Sequence, residues 1–198
     1  MLSKFSLAIL AAGRAERMGF PKGLIRFNDK TLLENHIDSF FSNNGKHVHL
    51  ILGDNCGVYE QTLPRLFHDP QISVIINSRI ELGPFYSLQL GLKDFPEDEA
   101  RFILPVDSQT PSQSVWALLA QNSSPRYLAV IPSHKNRGGH PVVVSSEYSK
   151  LLLAIAPSDE EARLDVQIRS LQPHKVKRVE VGDESILANF NSPEDRSW

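Results

Sequence analysis

Residues 10–22, reading Leu-Ala-Ala-Gly-Arg-Ala-Glu-Arg-Met-Gly-Phe-Pro-Lys, gather the groups that bind phosphate: Gly13 and Gly19, the guanidinium groups of Arg14 and Arg17, and the ammonium of Lys22. Glycine lets backbone N–H groups approach an anion with no Cβ in the way, and the cations supply a planar fork and a point charge for its oxygens. Two more clusters carry hard oxygen donors. Asp107 ends the run Leu-Pro-Val-Asp at 104–107, and Asn189 and Asn191 put amide oxygens on alternate residues ahead of Ser-Pro-Glu-Asp. Mg²⁺ takes one or two such protein oxygens and completes its shell with water and substrate phosphates. On residue type alone, each of these clusters also fits a solvated loop, a cap or a turn.

The spacing excludes the commonest phosphate loops. Five residues separate Gly13 from Gly19 and Lys22 follows three later, which matches neither a Walker loop nor a G-x-G-x-x-G dinucleotide fingerprint. No Ser-His-Asp or Cys-His set is evident. His134 with His140, and His47 with His49 on one strand face, lack a third ligand at metal spacing.

Something must hold the loop, and the apolar run 5–10 ahead of it reads as a buried strand. Further strand-like runs, at 47–52, 72–76, 101–106, 127–131, 141–144 and 176–181, alternate with helical patterns, as in an α/β sheet with mostly parallel strands. Thr31 to Glu34 spells a capping box, after which Leu33, Ile37, Phe40 and Phe41 mark one helix face. A helix broken at Pro64 is expected over 58–67, one opened by Pro84 carries Leu88 and Leu92, and a second capping box at Thr110 to Gln113 starts a helix over 112–121. Helices are also expected over 145–155, after a cap at 158–161, and from Ser192 to the end. Asp107 then sits between a strand's carboxyl end and the next helix, the edge where open α/β sheets bind ligands.

With 198 residues, 41% hydrophobic residues and no repeat or linker, the chain reads as a single domain over 1–198. A formal net charge of −2 offers no basic field for nucleic acid, and no apolar run is long enough for a membrane span. The run 5–10, preceded by one basic residue, is short for a secretory leader. The lone Cys56 can form no internal disulfide and favours a reducing compartment, the cytoplasm.

Together, residues 10–22, Gly-Pro-Phe-Tyr-Ser-Leu-Gln-Leu-Gly-Leu at 83–92, residues 104–107, Gly139-His140-Pro141 and residues 189–195 resemble, in order, the molybdenum cofactor nucleotidyltransferases, which include the cytidylyl- and guanylyl-transferring enzymes. The Leu-Ala-Ala-Gly, Arg-Met-Gly, Lys pattern is the specific part. The resemblance implies a three-layer α/β/α Rossmann-like nucleotidyltransferase fold with a mostly parallel sheet. It implies Mg²⁺-dependent transfer of CMP or GMP from an NTP to a phosphate acceptor, molybdopterin or the molybdenum cofactor, with pyrophosphate released. A molybdoenzyme or maturation chaperone would be the protein partner.

Carried over by residue, Leu10, Ala11, Ala12, Gly13 and Arg14 form the nucleotide loop, with Arg17 on the β- and γ-phosphates and Lys22 on the α-phosphate. Lys22, Arg17 and Asp107 are the catalytic set; Asp107, Asn191 and Asn189 hold the metal; Ser87 and Gly91 border the base or ribose. The chain departs from the pattern at Ala15, where many relatives carry Ser, at Ser108-Gln109-Thr110, and in its short C-terminal segment. Asn189 and Asn191 look guanylyl-type, whereas Leu-Ala-Ala-Gly at 10–13, Pro21 before Lys22 and Gly139-His140-Pro141 look cytidylyl-type, so the nucleotide stays open. Transfer to a sugar or alcohol phosphate, or nucleotide binding without turnover, are the competing readings.

Overall fold

The computed structural model describes residues 2–13, 19–27, 29–93 and 99–190. Its strands are β1 (Phe5–Ala11), β2 (Arg26–Phe27), β3 (Lys30–Thr31), β4 (His47–Leu52), β5 (Ile72–Ile76), β6 (Ala100–Pro105), β7 (Ala129–His134), β8 (Arg137–Gly138), β9 (Val142–Ser145) and β10 (Val176–Glu180). Its α-helices are α1 (Leu32–Ser42), α2 (Cys56–Thr62), α3 (Pro64–His68), α4 (Pro84–Leu92), α5 (Gln113–Asn122), α6 (Ser146–Leu153) and α7 (Leu164–Ser170). The main sheet is eight-stranded in the order β10-β7-β9-β6-β1-β4-β5, with β8 beside β7. Pairs β1–β4, β1–β6, β4–β5 and β7–β10 are parallel, while β9 runs antiparallel to both β6 and β7.

Alternation along β1 explains the layers. Leu7, Ile9 and Ala11 face one core with Leu33, Ile37 and Phe40 of α1 and Val115, Trp116 and Leu119 of α5; Ala8 faces the other with Phe85 and Leu88 of α4, Leu152 of α6 and Ile168 of α7. The result is a three-layer α/β/α sandwich with a mostly parallel sheet. Phe40 sits edge-on to Trp116 and Phe102, with ring centroids 5.5 and 6.3 Å away, which locks α1 and α5 onto β6. Arg101 is buried in β6, where it donates to Ser6 Oγ at 2.8 Å and to the Gly91 carbonyl, tying β1, β6 and α4 together. Among the described residues no helix is long and apolar enough to cross a membrane.

Two expected caps resolve differently. The Thr31–Glu34 box forms in full, but the Thr110 hydroxyl is taken by His36 and α5 starts after Ser112, whose hydroxyl bonds Ser114 and Asp183 instead of capping. The cap expected at 158–161 is a turn: Asp159 Oδ1 accepts from the Glu161 N–H at 2.8 Å, and α7 begins only at Leu164. Residues 192–198, expected to start a helix, lie outside the described residues.

Candidate active site at the carboxyl edge of the sheet

β1 delivers Leu10 and Ala11 to the carboxyl edge of the sheet, and the chain continues through buried Ala12 to exposed Gly13. Gly53, just past β4, makes room for this turn, because a Cβ there would stand 2.6 Å from the Ala12 carbonyl oxygen. Among the described residues nothing lies within 4 Å of where a Cβ on Gly13 would be. Arg14 and Arg17 lie outside the described residues. The chain re-enters through Gly19, at φ 70°, into a 3₁₀ turn over Lys22–Leu24.

That turn is clamped from both sides. Gly23 is buried, its N–H donates to the Tyr59 hydroxyl at 3.2 Å, and a Cβ would lie 2.7 Å from that oxygen and 2.9 Å from Val106 Cγ2. Only glycine lets Lys22 come this close to the end of β6. Burial raises the Tyr59 phenol pKa, so the clamp stays protonated. Lys22 Nζ then meets Asp107 Oδ2 at 2.7 Å, the two side chains being 21% and 26% exposed. A cation and a carboxylate from segments 85 residues apart thus converge at the sheet edge.

The Asp107 loop has its own supports. The Val106 N–H donates to the Leu10 carbonyl at 3.0 Å, continuing the β1–β6 ladder. His36 of α1, fully buried, donates from Nε2 to the Val106 carbonyl at 3.1 Å and accepts at Nδ1 from Thr110 Oγ1 at 2.9 Å, which fixes one tautomer. Burial pushes its pKa down to about 4, against smaller opposing effects of the Val106 carbonyl and Asp107, so the imidazole is neutral near pH 7.

On the far side, Asn189 pairs antiparallel with Ser108, and its Oδ1 accepts from Ser108 Oγ at 3.3 Å. The Phe190 N–H donates to the Asp107 carbonyl at 2.7 Å, and Gln109 N–H to Ala188 at 3.1 Å. Lys22, Asp107 and Asn189 are therefore brought to one place; Asn191 lies outside the described residues.

Ser87 and Gly91 separate. Ser87 Oγ accepts from Asn77 Nδ2 at 2.9 Å, and the Asn77 N–H extends the β4–β5 ladder by donating to the Leu52 carbonyl, so Ser87 is held against the start of the β5–α4 connection. Gly91 sits on the face of α4 turned to the sheet, where a Cβ would lie 3.0 Å from Ala8 Cβ and from Ile51 Cδ1. The missing Cβ lets α4 pack closely on β1 and β4. His36, Tyr59, Gly23 and Gly53 are supports that the sequence reading missed. Their signals were faint: a histidine on the apolar face of α1, one turn from Phe40, and glycines whose partners come from distant segments.

Comparisons with known proteins identify the fold and the family. The model of the MobA-like NTP transferase domain matches residues 7–179. A probable molybdenum cofactor guanylyltransferase of Methanosarcina acetivorans is 29% identical over 201 residues, covering 96% of this chain and 87% of that protein. Among solved structures, Rv0371c from Mycobacterium tuberculosis H37Rv superposes with a TM-score of 0.80 at 19% identity, covering 98% of this chain and 96% of that one. A nucleotidyl transferase from Methanothermobacter thermautotroptrophicus does so at 0.77 and 18% identity, covering 96% and 93%. Rv0371c has also been solved in complex with manganese, a structure that superposes at 0.75 and 16% identity, covering 97% and 95%. The structural likenesses establish the fold; the sequence model, which spans most of the chain, establishes that this protein belongs to the MobA-like NTP transferase family.

Proposed function

We propose that this nucleotidyltransferase moves GMP from GTP onto the phosphate of a molybdopterin-type cofactor, releasing pyrophosphate, with Mg²⁺ as its metal. The meeting of Lys22 and Asp107 at 2.7 Å at the carboxyl edge of the sheet carries this reading. GTP as donor and the cofactor as acceptor are supported by the relative named a probable molybdenum cofactor guanylyltransferase.

In the reaction, an acceptor phosphate oxygen attacks the α-phosphorus in line. The bond from that phosphorus to the bridging oxygen breaks, and the electron pair leaves with pyrophosphate. Two anions must be pressed together, so catalysis rests on charge neutralisation and positioning, and an acceptor phosphate, already ionised, needs no protein base. The backbone N–H groups near Ala12 and Gly13, with Arg14 and Arg17, hold the β- and γ-phosphates. Lys22 exchanges its carboxylate partner for the α-phosphate and neutralises the charge that grows there. Ser87, anchored by Asn77, lies toward the nucleoside.

The donors fit a hard cation. The Asp107 carboxylate and the Asn189 amide oxygen stand on adjoining backbone, and among the described residues no group of three or more His, Cys, Asp or Glu competes as a metal cage. Asp107 and Asn189, with Asn191, would hold Mg²⁺, which when bound screens the triphosphate charge and polarises the α-phosphoryl group.

The test is pyrophosphate release. GTP, Mg²⁺ and molybdopterin should yield pyrophosphate only when all are present, and Asp107→Ala should abolish it. Lys22→Ala should lower turnover by roughly 10²-fold or more, the scale of losing one transition-state charge contact. Faster release with CTP would reassign the nucleotide. Tight nucleotide binding without release under any acceptor would make the protein a binder.

A further inference from the structure

The main sheet ends on two strands whose sequences differ in kind. β10 closes one side and reads Val-Lys-Arg-Val-Glu, with charges at Lys177, Arg178 and Glu180 of the kind that keep an open strand from pairing with another chain. β5 closes the other side and reads Ile-Ser-Val-Ile-Ile, β-branched at four of its five positions and free of charge, proline or glycine. Among the described residues β4 is its one strand partner. At the end of this uncharged edge Ile76 is 50% exposed, a large apolar side chain left in solvent.

The direction of each backbone group along β5 follows from the bonds at its two ends. The Val48 N–H donates to the Gln71 carbonyl at 2.9 Å and the Asn77 N–H to the Leu52 carbonyl at 2.7 Å, so positions 71, 73, 75 and 77 serve β4. The residues between them point their N–H and C=O groups the other way. The Ile72 N–H turns back to the Asp69 carbonyl at 3.0 Å, which leaves the Ile72 carbonyl and both backbone groups of Val74 and Ile76 along the outer edge.

We infer that a second copy of this chain covers that edge, its β5 antiparallel to the first about a two-fold axis at Val74, so that two sheets join into one. In this register Val74 of each copy donates to Val74 of the other, and each Ile76 N–H donates to the Ile72 carbonyl of the second copy. Ile72, Val74 and Ile76 share one face of the strand, beside Val48, Leu50 and Leu52, so the half-exposed Ile76 packs across the axis on Ile72. Charge selects a copy of the same chain as the occupant. From residue 69 to residue 79 the charged residues are Asp69 and Arg79, one at each end, and the two-fold sets Asp69 of either copy opposite Arg79 of the other. A slip of two residues would set Asp69 against Asn77 or Glu81 instead. Arg79 is able to turn to its new partner, because its side chain is 59% exposed and holds Glu81 only at 3.4 Å.

Sedimentation velocity of the full chain from about 1 to 300 µM should show monomer passing to dimer, as befits an interface of modest size. Amide exchange followed by NMR across the same range should slow about tenfold or more at Val74 and Ile76, whereas Ser73 and Ile75, already bonded to β4, should change little. Ile76→Lys should leave the chain monomeric throughout. Arg79→Glu should weaken the dimer by about tenfold, since it places like charges together at both ends of the interface, and adding Asp69→Lys should restore it. Thermal melts of each variant check that the fold is kept, so that loss of the dimer is read on a folded chain. A protein monomeric at every concentration, a dimer that leaves exchange at Val74 and Ile76 unchanged, or a charge reversal that the second change does not rescue would each overturn the inference. None of these readouts involves nucleotide, so their outcome is independent of the transfer reading.

Discussion

Replacing His36 with glutamine should flatten part of the protein's acid sensitivity, and the size of the effect follows from burial. The imidazole is fully buried between the Val106 carbonyl and Thr110, with its pKa lowered from 6.5 to about 4. In the unfolded chain the same group takes up a proton below pH 6.5. A group whose folded pKa is depressed in this way leaves the native state fully stabilised above 6.5, and it withdraws that stability as the pH falls from 6.5 toward 4. At about 1.4 kcal/mol per unit, His36 alone accounts for about 2 kcal/mol between pH 7.5 and pH 5.

His49 and His140 are also held down by burial, so the wild type alone would not isolate His36. The difference between wild type and His36→Gln does isolate it. Urea unfolding at pH 7.5 and at pH 5 should show wild type losing about 2 kcal/mol more than the variant on acidification. Identical pH dependence in the two proteins would refute a buried, neutral His36. The same variant should also lower kcat more than it raises KM for nucleotide, because His36 supports the Asp107 loop and touches no ligand.

Gly23→Ala should cost about 1–3 kcal/mol and most of the activity, since its Cβ would meet the Tyr59 oxygen at 2.7 Å and Val106 at 2.9 Å; adding Tyr59→Phe, which removes one obstacle, should restore part of the stability in chemical denaturation. Phe40→Ala should destabilise by about 3–5 kcal/mol through loss of its ring contacts with Trp116 and Phe102, while the folded fraction keeps its nucleotide-induced thermal shift.

Where a signal was local, it could be read from the sequence. The runs at 47–52 and 72–76 became β4 and β5 without change, the break at Pro64 separates α2 from α3, and the Thr31–Glu34 box caps α1 as spelled. Misreadings occurred where a side chain had a competing partner, far along the chain for Thr110 and two residues away for Asp159. Thr110 prefers the buried ring of His36 to its own helix, and Asp159 closes a turn on Glu161 that reads like a cap. Strand direction was also hidden: nothing in the composition of Val142–Ser145 says that β9 runs antiparallel between β6 and β7.

The site divides along the same line. Lys22, Asp107 and Asn189 were recognisable as cationic and oxygen donors, and the fold brings them together. Gly91 matched the family pattern, yet its place is set by Ala8 and Ile51 across the sheet, contacts between segments far apart in the chain. Glycines at 23 and 53 look like ordinary turn residues until the segments that crowd them are in place.

The central claim is that the nucleotide's α-phosphorus, and no other, is transferred. Incubating the protein with Mg²⁺, molybdopterin and GTP labelled at either the α- or the γ-phosphorus tests this most directly. The account predicts that α-label appears in the acceptor while γ-label leaves as pyrophosphate, and that both events are lost together in Asp107→Ala. Transfer of γ-label to the acceptor, or its release as inorganic phosphate, would contradict it.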